Sequence, residues 1–89
     1  MARAEVTVVN RLGLHARPSA KVTAAAGRFR AEVWLSRNTR KVNAKSIMGV
    51  MMLAAGLGSV VEVETNGADE QAAMEALLAL INDKFGEGQ

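Results

Sequence analysis

Through residues 59–65, Val61 and Val63 alternate with Glu62 and Glu64. A strand of this kind buries one row of side chains and leaves the other wet. The same alternation recurs at residues 4–9, where Val6 and Val8 interleave with Glu5 and Thr7. It recurs again at residues 31–36, with Val33 and Leu35 on one side and Glu32, Trp34 and Ser36 on the other. After a turn at Arg37-Asn38-Thr39, residues 40–44 make a weaker return strand with Val42 inward. Strands with one polar row form a sheet with one open face, so helices must cover the opposite face.

Three segments have helical character. Residues 16–27 are Ala-rich, with Pro18 in the first turn and Gly27 as a stop. Residues 47–55 follow Ser46 as a natural cap and end before Gly56 and Gly58. A third helix opens with Asp69 and Glu70 at its positive end and runs to about Lys84, with Met74, Leu77, Leu78, Ile81 and Phe85 at helical spacing. The expected architecture is an open-faced α/β (α+β) sandwich in one domain, residues 1–89. Its four-stranded, mostly antiparallel sheet is covered on one face by three helices. Periodicity does not give the strand order.

With 49% apolar and 22% charged residues the chain has the balance of a folded domain rather than a disordered one. Cysteine is absent, which excludes disulfides, thiolate chemistry and cysteine-held zinc. A single histidine excludes any site needing two imidazoles from one chain. The longest uncharged stretch, residues 46–61, is 16 residues with three glycines, short of the roughly 20 that span a bilayer. The first residues have no apolar signal-peptide core, so a cytoplasmic protein with no membrane partner is expected. Charge is divided unevenly: residues 1–45 carry ten Lys or Arg against two acids, whereas residues 46–89 carry Lys84 against seven acids. Either the basic half steers acidic ligands and partners, or the folded chain pairs its own halves.

The most informative segment is Gly13-Leu14-His15-Ala16-Arg17-Pro18. It places the one imidazole at the start of a helix, where the first amides are unpaired and carry partial positive charge. Arg17 adds a full charge and five donors, Pro18 fixes the entry of the helix, and Gly13 lets the preceding loop turn. Such a place favours a phosphate. A neutral imidazole there has a free lone pair and can act as a nucleophile, and the same amides with Arg17 would welcome the phosphorylated product. The plainer alternative is a capping or surface histidine. No Gly-x-x-x-x-Gly-Lys loop for nucleotide phosphates accompanies it.

Together with Lys45-Ser46-Ile47-Met48-Gly49-Val50-Met51 and Gly67-Ala68-Asp69-Glu70, this segment makes the chain resemble, over essentially its whole length, the HPr family of histidine-containing phosphocarriers. The family belongs to the bacterial phosphoenolpyruvate-dependent phosphotransferase system. The resemblance implies the strand order 1-4-2-3. It implies that His15 takes a phosphoryl group on Nδ1 from phosphorylated enzyme I and passes it to a histidine on a IIA domain. The phosphoryl group would be held by Arg17 and the amides at Ala16 and Arg17. Ile47, Met48 and Met51 would form a docking face beside His15. The chain would be a carrier rather than an enzyme, monomeric, with no cofactor, metal or nucleic acid.

Flexible methionines suit a surface that binds several partners in turn, although Met48, Met51, Met52 and Leu53 would also serve as core. Ser46 is sufficient as a helix cap. By resemblance it is also the site modified by an ATP-dependent HPr kinase/phosphorylase, and a phosphate there would slow transfer through His15. Asn10-Arg11-Leu12-Gly13 and Phe85-Gly86-Glu87 are similar to the nitrogen-related branch of the family as much as to the sugar-transport branch, which leaves a regulatory paralogue as the alternative. Met52 stands where regulated members commonly have a small polar residue. Rival classes fit less well. An RNA-binding module would stack bases on aromatics of the open face, where only Trp34 is placed, and no loop with the Arg and Asn of an acylphosphatase-like hydrolase is present.

Overall fold

The computed structural model describes residues 1–10, 13–53 and 55–86. The elements run β1 (Ala2–Thr7), α1 (Ala16–Gly27), β2 (Glu32–Arg37), β3 (Arg40–Asn43), α2 (Ile47–Met52), β4 (Val60–Asn66) and α3 (Glu70–Asn82), closed by a short 3-10 turn, Lys84–Gly86. The strands form one sheet in the order β1-β4-β2-β3, and every pairing is antiparallel.

Alternation and register agree. Val6 faces Val61, Ala4 faces Val63, and Leu35 faces both Val63 and Val42, so the apolar rows align across the sheet. Val33, Leu35, Val61 and Val63 are buried against Val22 and Ala26 of α1, Val50 of α2, and Met74, Leu77 and Ile81 of α3. Full burial of such a side chain is worth about 1.5–3 kcal/mol, and this layer is the main source of stability.

The open face is not wet throughout. Glu64 is buried there, bracketed by Arg3 Nε at 3.3 Å and Lys41 Nζ at 3.4 Å. Lys41 also lies 5.2 Å from the ring of Trp34, which stands opposite Glu64. Two cations thus offset the desolvation of one carboxylate.

Several boundaries differ from the sequence reading. β1 begins two residues early, and Val8 continues the pairing through Ser59 O and Gly58 N–H instead of a regular ladder. α2 stops at Met52 rather than at residue 55, because Leu53 turns into the core and Ala55 O accepts a hydrogen bond from Leu14. α3 ends at Asn82. Lys84 and Phe85 adopt left-handed φ values of 53° and 57°, and the resulting kink drops Phe85 into the core. Phe85 therefore belongs to the core, but not as part of the α3 stripe.

Asp69 precedes α3, yet its carboxylate makes no cap hydrogen bond within that helix. It accepts instead from the amides of Arg30 (3.0 Å) and Ala31 (2.8 Å), tying α3 to the start of β2. Those amides hold its carboxyl below the usual carboxylate range. Glu70 is likewise lowered, first by the N-terminal ammonium at 3.0 Å and then by the Gly67 amide.

Candidate functional site

α1 begins in the way Pro18 dictates. Helix starts leave the first amides unpaired, Pro18 has no N–H, and the Ser19 amide already donates to His15 O at 2.9 Å. Ala16 and Arg17 are left as the two amides with no backbone acceptor among the described residues. His15 is the N-cap, in extended conformation, and its ring makes no cap hydrogen bond to these amides. The amides therefore remain available to an external anion. Arg17 is exposed and makes no ion pair among the described residues.

The imidazole is oriented by burial. Nε2 is shielded from solvent and has no hydrogen-bond partner among the described residues, whereas the residue as a whole is half-exposed. Nδ1 is not among the buried side-chain atoms left without a partner. The two residues that follow His15 supply the unpaired N–H donors, and the second of them carries the guanidinium of Arg17.

The loop that presents His15 is fixed by contacts that sequence reasoning missed. Asn10 is buried, donates from Nδ2 to Gly13 O at 2.8 Å and accepts the Gly13 amide on its own carbonyl at 3.2 Å. The Leu14 amide donates to Ala55 O at 2.8 Å, and Ser19 Oγ donates to Leu14 O at 3.3 Å. Gly13 has φ 68°, and a Cβ there would stand 2.3 Å from Ala55 O and 2.6 Å from Gly56 Cα, so no side chain fits. The available signal was an asparagine and a glycine at the two ends of a short loop, both residue types that favour turns. Arg11 and Leu12 of the same loop, and Glu87 at the C-terminus, lie outside the described residues.

α2 packs on α1, and the segment that leaves α2 carries the loop before His15. Val50 and Leu53 are buried, whereas Ile47, Met48, Met51 and Met52 are exposed, Met48 at 64%. Four apolar side chains on a helix of six residues make a surface patch, so the all-core alternative is excluded. Ser46 caps the helix, its exposed Oγ accepting from the Gly49 amide at 3.2 Å.

The charge asymmetry is spent only in part on pairing the halves, since the three ion pairs among the described residues, Met1 N with Glu70 and Arg3 and Lys41 with Glu64, all cross between them. Arg3 and Lys41 meet Glu64, but Lys21, Arg37, Arg40 and Lys45 donate to backbone carbonyls of Phe85, Leu53, Met52 and Phe29. Among the described residues no three His, Asp or Glu side chains cluster to hold a metal ion, and no helix is long and apolar enough to cross a membrane.

Residues 2–83 match the family model described as the PTS HPr component phosphorylation site. The chain is 63% identical to the phosphocarrier protein HPr of Cupriavidus necator, with each chain covered completely. Its fold superposes on a crystal structure of HPr-C-His from Thermoanaerobacter tengcongensis with a TM-score of 0.94, 44% identity and 98% of each chain covered. A second structure from that organism, described as an HPr dimer, matches with a TM-score of 0.79 over 98% of this chain and 100% of the other, again at 44% identity.

Proposed function

The chain belongs to the HPr family, and we propose that it carries phosphoryl groups in the phosphoenolpyruvate-dependent phosphotransferase system on Nδ1 of His15. The observation that supports this reading is a half-exposed His15 whose Nε2 is buried, at the N-cap of a helix whose Ala16 and Arg17 amides have no backbone acceptor among the described residues. The Nδ1 lone pair attacks the phosphorus of a phosphohistidine on enzyme I. The new N–P bond forms as the donor's N–P bond breaks, and the donor ring leaves with the electron pair. The phosphoryl group on His15 then accepts hydrogen bonds from the Ala16 and Arg17 amides and the Arg17 side chain. A histidine of a IIA domain repeats the attack and returns His15 to its free form. The protein is thus a shared substrate of two transfer steps rather than an enzyme with turnover of its own. The groups that receive and hold the phosphoryl group all belong to one chain, which acts as a monomer in the cytoplasm.

The exposed Ile47, Met48 and Met51 form the surface on which enzyme I and IIA domains dock in turn. Partners of different shape are accommodated by methionine rotamers rather than by a rigid fit. Ser46 adds control. Its exposed hydroxyl accepts phosphate from the ATP of an HPr kinase/phosphorylase, and the added charge beside the apolar patch weakens docking.

The test is incubation with enzyme I and labelled phosphoenolpyruvate. The parent takes up label in an acid-labile, base-stable form, and His15→Ala takes up none while keeping its fold by circular dichroism. Labelling of His15→Ala at the parent's rate removes the assignment.

A further inference from the structure

At the end of the β2–β3 ribbon, Arg37 and Arg40 stand directly opposite each other in the ladder. They occupy the row that includes Leu35 and Val42, the row facing the helices. Like charges directly opposed across antiparallel strands repel, and neither arginine pairs with an acid among the described residues. Only Asn38 and Thr39 separate the two strands, Asn38 with a left-handed φ of 57° that asparagine tolerates better than most residues.

Each arginine commits one nitrogen to the C-terminal end of α2. Arg37 Nη1 donates to Leu53 O at 3.3 Å and Arg40 Nη1 donates to Met52 O. A guanidinium carries five N–H donors, so most of this capacity is unspent. Beside these groups lies a cavity of about 290 Å³ lined by Arg37, Asn38, Thr39, Arg40 and Leu53. Its lining residues carry two guanidinium groups, an amide and a hydroxyl and no carboxylate, and Leu53, whose side chain is buried in the core, has its carbonyl bonded to Arg37.

We propose that this cavity binds a small phosphate-bearing anion, either free phosphate or a compact phosphate monoester, between Arg37 and Arg40. Two planar forks match the oxygens of a phosphate in paired hydrogen bonds. A dianion also relieves the repulsion that the ladder imposes on the two arginines. The volume lies at the small end of ligand pockets, enough for a phosphate with a short organic group. The site is built on the β2–β3 turn and the end of α2, apart from the amides at the start of α1, and it stands independently of the role given to His15.

The experiment is a residue-resolved amide NMR titration of the whole protein at pH 7.5, with inorganic phosphate and with glycerol 2-phosphate, each against chloride at equal ionic strength. Saturable shifts at residues 37–40 and Leu53 are expected with phosphate and not with chloride. Arg37→Gln and Arg40→Gln keep a donor for the α2 carbonyls but lose the charge, and each weakens binding about tenfold or more. Tighter binding of glycerol 2-phosphate assigns the site to a monoester, and equal or tighter binding of inorganic phosphate assigns it to the free ion. Shifts confined to Ala16 and Arg17, shifts that do not saturate, or equal shifts with chloride overturn the proposal. The parent titration decides this even where a variant fails to fold.

Discussion

The His15 end of the molecule and the α3 side satisfy their polar groups in opposite ways. Around α3, Thr65 Oγ1 donates to Glu70 O, Glu70 joins the N-terminal ammonium to the Gly67 amide, and Asp69 takes two amides from the start of β2. Around His15, the Ala16 and Arg17 amides have no backbone acceptor among the described residues, Nε2 is buried without a partner, and four apolar side chains of α2 face solvent. One side spends its hydrogen-bonding capacity on holding the fold, and the other leaves that capacity for a visitor. Stability and chemistry are therefore separable to a large degree.

The strongest way to break that separation is in the core. Leu77 is fully buried, and Leu77→Ala is expected to cost about 2–5 kcal/mol in denaturant unfolding. The rate of phosphoryl acceptance per folded molecule should stay at the parent's value, and a slowed rate in the folded fraction would mean that the two regions are coupled. Met48→Ala probes the other side. It should leave stability within about 0.5 kcal/mol and weaken docking of enzyme I by about fivefold, near the threshold for a residue that matters in an interface. An unchanged Michaelis constant for enzyme I would take Met48 out of the docking face.

The smallest effect concerns acid. The native carboxyl of Asp69 is lowered by the Arg30 and Ala31 amides, so its contribution is complete at neutral pH. That contribution is lost as pH falls through and below the ordinary carboxylate range. Asp69→Asn cannot titrate. The stability gap between variant and parent should be open at pH 7 and close towards pH 3, with no change in transfer at pH 7. A gap of the same size at both values would show that the two amides do not favour the charged carboxylate.

The sequence was legible where the physics is local. α1 was placed at residues 16–27 because Pro18 and Gly27 mark both ends, and the inward rows of the sheet were readable because alternation fixes faces. Strand ends moved by a residue or two because a period of two says nothing about where pairing stops. α2 was read too long because its end is set by Leu53 entering the core and by Ala55 O serving Leu14, contacts between segments distant in the chain. Phe85 reaches the core through a left-handed turn that no helical spacing encodes. Strand order came from family resemblance alone. At the site, His15 and Arg17 were visible as residue types in a telling order. The anchoring roles of Asn10 and Ser19 were not visible, because both depend on which carbonyl the folded loop brings within reach.

The join between Gly13-Leu14 and Ala55-Gly56 has a mechanical meaning. The loop before His15 rests on the chain that leaves the methionine-bearing helix, with too little clearance for even a methyl group. The two segments are keyed together closely enough that neither can shift without carrying the other.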